Sequence, residues 1–112
     1  MTLYLASTSP RRRELLAQAD IKFSTLDVEI DETQRPNELP TAYVERLAKE
    51  KAEAGFQCVQ DEQGAVVLAA DTIVVLEDDV LGKPSDQQEA QKMLQALSGR
   101  SHVVMTAFAI KT

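Results

Sequence analysis

Leu3-Tyr4-Leu5-Ala6-Ser7-Thr8-Ser9-Pro10-Arg11-Arg12-Arg13 changes period halfway along, and that change decides the fold. Leu3 to Ala6 is a short apolar run of the kind that forms a buried strand. Ser9 before Pro10 marks a helix start, with Ser9 at the N-cap and Pro10 at the first helical position. Leu15, Leu16 and Ala19 then give that helix a stripe to bury. A strand turning into a helix, repeated down the chain, predicts an α/β fold with a mixed sheet flanked by helices.

Working outward, Lys22 to Val28 reads as a second strand, and Asp31 to Pro40, polar with two prolines, as a loop. A helix is expected from Thr41 to about Ala54, with Gly55 as its stop. The apolar run Val66 to Ala70 ends in Asp71, and Ile73 to Leu76 continues extended. Glu77-Asp78-Asp79 reads as a hairpin turn. Ser85 to Gln88 has the capping-box pattern and opens a helix that Gly99 closes. Val103 to Ile110 is a last strand with nothing after it in sequence to cover it. An edge of that length needs cover, from another chain or from a longer polypeptide.

The 112 residues suit a single domain, 44% hydrophobic and 27% charged, as in ordinary globular proteins. A net charge of -6 disfavours nucleic acid or an anionic membrane as partner, since both need a basic face. It leaves room for a small phosphate ligand held by a local basic cluster. One cysteine, Cys58, allows no internal disulfide and fits a reducing cytoplasm. The first residues lack a basic n-region, and no apolar run reaches membrane-spanning length. The expectation is a cytoplasmic protein.

Three features point to chemistry. Arg11, Arg12 and Arg13 lie in a first helical turn, where the macrodipole favours negative charge. A bound anion would relieve that conflict, with Ser7, Ser9 and free backbone N–H groups converging on phosphate oxygens. The arginines could equally splay into solvent, and the residues alone do not decide. Asp71 finishes an apolar run, where α/β sheets place their ligand crevices. It could hold a divalent cation or take a proton from water, or simply hydrogen-bond its own backbone. Lys51, Lys83 and the loop acid Glu32 read by default as solvated charge. His102 and Cys58, each the sole example of its kind, make no convincing triad or zinc site. No Gly-x-x-x-x-Gly-Lys-Ser/Thr occurs, which removes P-loop enzymes.

Six segments carry a family resemblance. They are Leu5-Ala6-Ser7-Thr8-Ser9-Pro10-Arg11-Arg12, Asp31-Glu32, Arg46-Leu47-Ala48-Lys49-Glu50-Lys51-Ala52, Ala70-Asp71-Thr72, Gly82-Lys83-Pro84 and Leu97-Ser98-Gly99. In order and spacing they resemble the Maf family of nucleoside triphosphate pyrophosphatases, over essentially the whole chain. The resemblance implies an inosine triphosphate pyrophosphatase-like α/β fold with a cleft between two lobes. It also implies hydrolysis between the α- and β-phosphates with a divalent cation, Mg²⁺ or Mn²⁺.

By the same resemblance Asp71 is the proton acceptor and, with Glu32, a metal-site acid. Ser7, Arg11, Arg12, Lys51 and Lys83 are phosphate-site groups. The branch acting on 7-methyl-GTP tends to have tryptophan after the proline and Ser-Asp-Gln at the acid. Arg11 after Pro10, and Thr72 after Asp71, are similar to the dTTP and UTP branch and would be specificity positions. Family members are usually considerably longer, with a second lobe that helps select the base. Residues 1–112 therefore match the N-terminal part of one Maf-like domain, with the C-terminal lobe absent, and a homodimer is expected. The rival expectation is a non-catalytic nucleotide-binding protein connected with septum formation.

Overall fold

The computed structural model describes residues 2–7, 9–77, 79–81, 87–97 and 102–112. In chain order the elements are β1 (Thr2–Ala6), α1 (Pro10–Gln18), β2 (Ser24–Thr25), α2 (Pro40–Val59), β3 (Ala65–Leu76), β4 (Asp79–Leu81), α3 (Gln87–Leu97) and β5 (Val103–Lys111). β1 runs parallel to β2 and β3, whereas β4 and β5 pair antiparallel with β3. The sheet is therefore mixed, as the sequence predicts. No helix among the described residues is long and apolar enough to cross a membrane.

β3 is the central strand, and alternation along it divides the molecule. Ala65, Val67, Ala69, Asp71, Ile73 and Val75 are buried on one face. There α2 packs, with Tyr43, Val44 and Leu47 against Ile73 and Val75, and Ala52 against Val67 and Ala69. The other face is thinly covered, because α1 has no fully buried residue. The stripe expected on α1 is thus a correction: Leu16 is half-buried, Ala19 is exposed, and Leu15 is 57% exposed. Leu15 and Leu16 only wall a shallow apolar dent with Leu5, Leu68, Ala70 and Phe108.

Three further expectations need revising. Gly55 does not stop α2, which continues to Val59. A Cβ at that position would stand 3.0 Å from Val67 Cγ1 and 3.1 Å from Ala6 Cβ, so Gly55 is where the helix comes closest to the sheet. The second strand shrinks to Ser24 and Thr25, paired with Tyr4 and Leu5. Beyond them Leu26, Val28 and Ile30 keep a period of two and pack on the core, but β1 ends at Ala6 and offers no further ladder. Asp71 does not end a strand either: β3 continues past it to Leu76.

The turn expected after Leu76 lies between Leu76 and its antiparallel partner Asp79, with Glu77 at a positive φ of 50°. Positive φ at this point suits a tight hairpin. The residues proposed to cap and stop α3, Ser85 and Gly99, lie outside the described residues, as do Gly82, Lys83 and Pro84.

Candidate active site

One edge of β3 is interrupted. β1 pairs with it up to Ala69, and β4 pairs with it from Val74. Between those points the edge facing them has no partner strand among the described residues, while β5 runs unbroken along the opposite edge. The gap falls at Asp71 and Thr72, and the turn from β1 into α1 rises beside it. This brings side chains from both faces of the sheet to one opening.

Ser7 sits at the end of β1 and is buried. Its Oγ accepts the Ser9 N–H at 3.1 Å and lies 3.5 Å from Arg12 Nη1. Ser9 takes the N-cap position with extended backbone, as expected, but its hydroxyl makes no capping bond. No acidic residue occupies the first turn of α1. The first N–H groups of the helix are left for an acceptor from elsewhere. Arg12 folds back over the gap, its Nη2 donating to Thr72 Oγ1 at 2.8 Å. Arg11 is exposed and has no hydrogen-bond or ion-pair partner among the described residues.

Asp71 lies on the α2 side of β3 and is 7% exposed. Its Oδ1 accepts the Thr72 N–H at 3.0 Å and sits 3.3 Å from Lys51 Nζ. Oδ1 is the oxygen engaged in both contacts, which leaves Oδ2 for a water. Lys51 is also 3.3 Å from Glu32 Oε1. Sequence alone makes Lys51 a solvated residue of a charged helix; in the fold its side chain is 15% exposed, because it points along α2 toward the sheet. One cation thus stands between two carboxylates that are 39 positions apart (71 − 32 = 39).

Glu32 comes from an irregular segment, and two residues of α2 hold that segment down. The Tyr43 hydroxyl donates to the Glu32 carbonyl oxygen. Burial, followed by the charges of Glu32 and Asp71, raises the pKa of that hydroxyl above its ordinary value. Arg46 donates from Nε to Glu38 Oε2 at 2.7 Å and from Nη2 to Glu38 Oε1 at 2.9 Å, a bidentate pair. It also donates to the Thr33 carbonyl at 3.0 Å and to Glu50 at 2.8 Å. The role of Arg46 is therefore to fasten the Glu32 segment to α2.

A pH dependence follows. The Arg46 hydrogen bonds hold Glu38 down from 4.5 to about 2. A carboxylate with a lowered folded pKa stabilises fully above its unfolded value and loses that stabilisation as it is protonated. The Glu38 contribution should be whole above about pH 4.5 and fade toward about pH 2. Thermal melts of Arg46→Gln across that window should show a shallower fall in stability than the unaltered chain. An identical slope would assign the acid sensitivity to other groups.

Two clefts meet at Glu32. One, of about 310 Å³, is lined by Ser7, Glu32 and Lys51, with Val28 and Ile30. The other, of about 240 Å³, is lined by Glu32, Tyr43, Asp71 and Thr72, with Val80 and Leu81. Of the residues singled out from sequence, Ser7, Arg12, Glu32, Lys51, Asp71 and Thr72 come together around the gap. Arg11 stands on the outer face of α1, and Lys83 is outside the described residues. Sequence reasoning missed Tyr43, Arg46 and Thr106. The Thr106 hydroxyl is 2.9 Å from that of Thr72, and its only sequence signal was its place in the last strand.

The donor set fits a hard divalent cation that arrives with a ligand. Among the described residues no three His, Cys, Asp or Glu side chains form a metal cage. Glu32 and Asp71 offer two carboxylates converging on the Lys51 ammonium. One or two carboxylates completed by phosphate oxygens and water is the usual protein contribution to Mg²⁺ binding.

The chain is similar to several known proteins. The chain is 53% identical over 115 aligned positions to a dTTP/UTP pyrophosphatase of Shewanella oneidensis, covering 98% of this chain and 59% of that protein. It is 54% identical over 108 positions to a dTTP/UTP pyrophosphatase of Yersinia pestis, covering 96% of this chain and 54% of the relative. A nucleoside triphosphate pyrophosphatase of Xylella fastidiosa is also 54% identical, over 96% of this chain and 57% of its own length. The chain therefore spans little more than half the length of these relatives. Among solved structures, a nucleoside-triphosphatase / dITP/XTP pyrophosphatase from Mycobacterium abscessus aligns with a TM-score of 0.49 at 15% identity, over all of this chain and 74% of that one. That likeness is too distant to bear on the site. The description "Maf-like protein" matches residues 2–112, and the chain belongs to the Maf-like family.

Proposed function

We propose that this chain is the N-terminal part of a single Maf-like domain that hydrolyses dTTP and UTP to the monophosphate and pyrophosphate. The observation that carries the reading is Lys51 held between Glu32 and Asp71, with Ser7 and Arg12 across the same gap. The relatives' names support the substrate class. Arg11 and Thr72 are the proposed base-selecting positions, and Lys83 a further phosphate contact.

A triphosphate must be neutralised before water can reach its α-phosphorus. Arg12, the open N-terminus of α1 and Lys51 supply positive charge fixed in place. Asp71 Oδ2 accepts a proton from the attacking water as the new P–O bond forms, and the bond to pyrophosphate breaks. Arg12 and Lys51 meet the charge that develops on the departing group. A Mg²⁺ or Mn²⁺ ion held by Glu32 and Asp71 would supply further charge stabilisation. The reading places the protein in the cytoplasm, beside its nucleotide pool.

Incubating the protein with Mg²⁺ and dTTP, UTP or 7-methyl-GTP tests the assignment. Monophosphate and pyrophosphate should form, fastest from the two pyrimidine nucleotides. Orthophosphate as the product would overturn the reaction, and preference for the methylated purine would overturn the base. We also propose a homodimer across β5, whose Val104, Phe108 and Ile110 are exposed. Light scattering showing only monomer at high micromolar concentration would contradict it.

A further inference from the structure

Thr106 is joined to the site by a hydrogen bond that no catalytic role accounts for. It lies in β5 directly opposite Thr72 in the antiparallel register. The two hydroxyl oxygens are 2.9 Å apart, and Thr72 Oγ1 also receives the Arg12 Nη2 donor at 2.8 Å. The donors can be counted. A guanidinium only donates, so Thr72 Oγ1 must accept from Arg12. Its remaining capacity, one proton and one lone pair, meets the Thr106 hydroxyl. Whichever threonine donates between them, Thr106 fixes the rotation of the Thr72 side chain.

We infer that Thr106 is a positioning residue, which holds the Thr72 hydroxyl and through it the Arg12 guanidinium over the phosphate opening. This rests on the proposed function of Arg12. Arg12, Thr72 and Thr106 lie on the face that α1 covers thinly, and Thr72 and Thr106 are both exposed there. Arg12 is half-buried beside the shallow apolar dent that Leu15, Leu16 and Phe108 wall. Among the described residues its hydrogen-bond anchors are two hydroxyls, Ser7 at 3.5 Å and Thr72 at 2.8 Å, and the shorter depends on how Thr72 is turned. Ordering Arg12 before phosphate arrives lowers the entropy lost on binding. Thr106 raises affinity in this way without touching the ligand.

Titration of the chain with inorganic tripolyphosphate in the presence of Mg²⁺, followed by calorimetry, tests this. Thr106→Val keeps the shape and β-branching and removes the hydroxyl, whereas Thr106→Ser keeps the hydroxyl. Thr106→Val should weaken binding about two- to fivefold, the size of one cross-strand hydroxyl pair. Any fall in melting temperature should be small, since such a pair stabilises the sheet by at most about 1 kcal/mol, the same fivefold limit, and Thr106→Ser should restore affinity. Equal affinity for Thr106→Val and the unaltered chain would overturn the inference, as would equal weakening by Val and Ser. Arg12→Ala separates the two levels. If Arg12→Ala binds tripolyphosphate as well as the unaltered chain, or nothing binds at all, the phosphate site itself is wrong and this inference falls with it. If Arg12→Ala weakens binding and Thr106→Val does not, only the role of Thr106 is lost.

Discussion

Asp71→Asn should lower pyrophosphate release by at least about a hundredfold, the usual effect of losing a general base, while the fold and triphosphate binding persist. The geometry explains why the two should separate. Both contacts of Asp71 fall on Oδ1, one from the Thr72 N–H and one from Lys51. An asparagine carbonyl can accept both. What changes is the other atom: an amide nitrogen replaces Oδ2 and cannot take a proton from water. Binding should hold or tighten when metal is absent, since a negative charge beside a polyanion has gone. Melting curves and titration with a non-hydrolysable triphosphate check folding and binding, and a product assay checks turnover. Near-normal release from a folded Asp71→Asn variant would reduce Asp71 to an acid that satisfies its neighbour's backbone.

The second large effect belongs to Lys51. Lys51→Met keeps most of the aliphatic stem and removes the ammonium between Glu32 and Asp71. Two carboxylates then face the same opening uncompensated, and a triphosphate meets repulsion where it had a fixed cation. kcat/KM should fall by about a hundredfold or more, comparable to removing one preorganised donor from a transition state. A second readout isolates the cause. Without Lys51 between them, the two acids should gain more thermal stability from added Mg²⁺ than they do in the unaltered chain. If hydrolysis survives and Mg²⁺ has no larger effect, Lys51 is a surface lysine that pairs with acids and nothing more.

Most of the element order was legible, because it depends on period and punctuation. Pro10 placed the start of α1, the apolar run from Val66 to Ala70 with its extended continuation marked β3, and Val44, Leu47 and Ala48 on adjoining turns marked α2. What failed were decisions that depend on a partner. Gly55 reads as a helix stop in one dimension, but in three it is a point of close approach to Val67 and Ala6. Residues 22–28 have a strand's alternation, but β1 is too short to pair with them beyond Thr25. Leu15 and Ala19 look like a buried stripe, but among the described residues nothing packs on α1 closely enough to bury any part of it fully.

The candidate site divides in the same way. Ser7, Arg12 and Asp71 were visible because their local settings are unusual: arginines in a first helical turn, and an acid in an apolar run. Lys51 and Glu32 were visible only through family resemblance, since their neighbours in sequence are as charged as they are. The gap in the β3 edge, which brings the two faces together, has no signature in sequence at all. It arises because β1 stops at Ala69's level and β4 begins at Val74's. Thr106 and Arg46 became legible only through the bonds they make in the fold.

The most direct test is a crystal structure of the protein with Mn²⁺ and a dTTP analogue whose α–β bridge cannot be cleaved. Anomalous scattering locates the metal independently of the phosphates. The account predicts a Mn²⁺ peak within coordination reach of Glu32 and Asp71, phosphate oxygens against Ser7 and Arg12, and the Lys51 ammonium turned from the carboxylates toward the triphosphate. A nucleotide bound away from the gap, or a metal peak that touches neither acid, would contradict it.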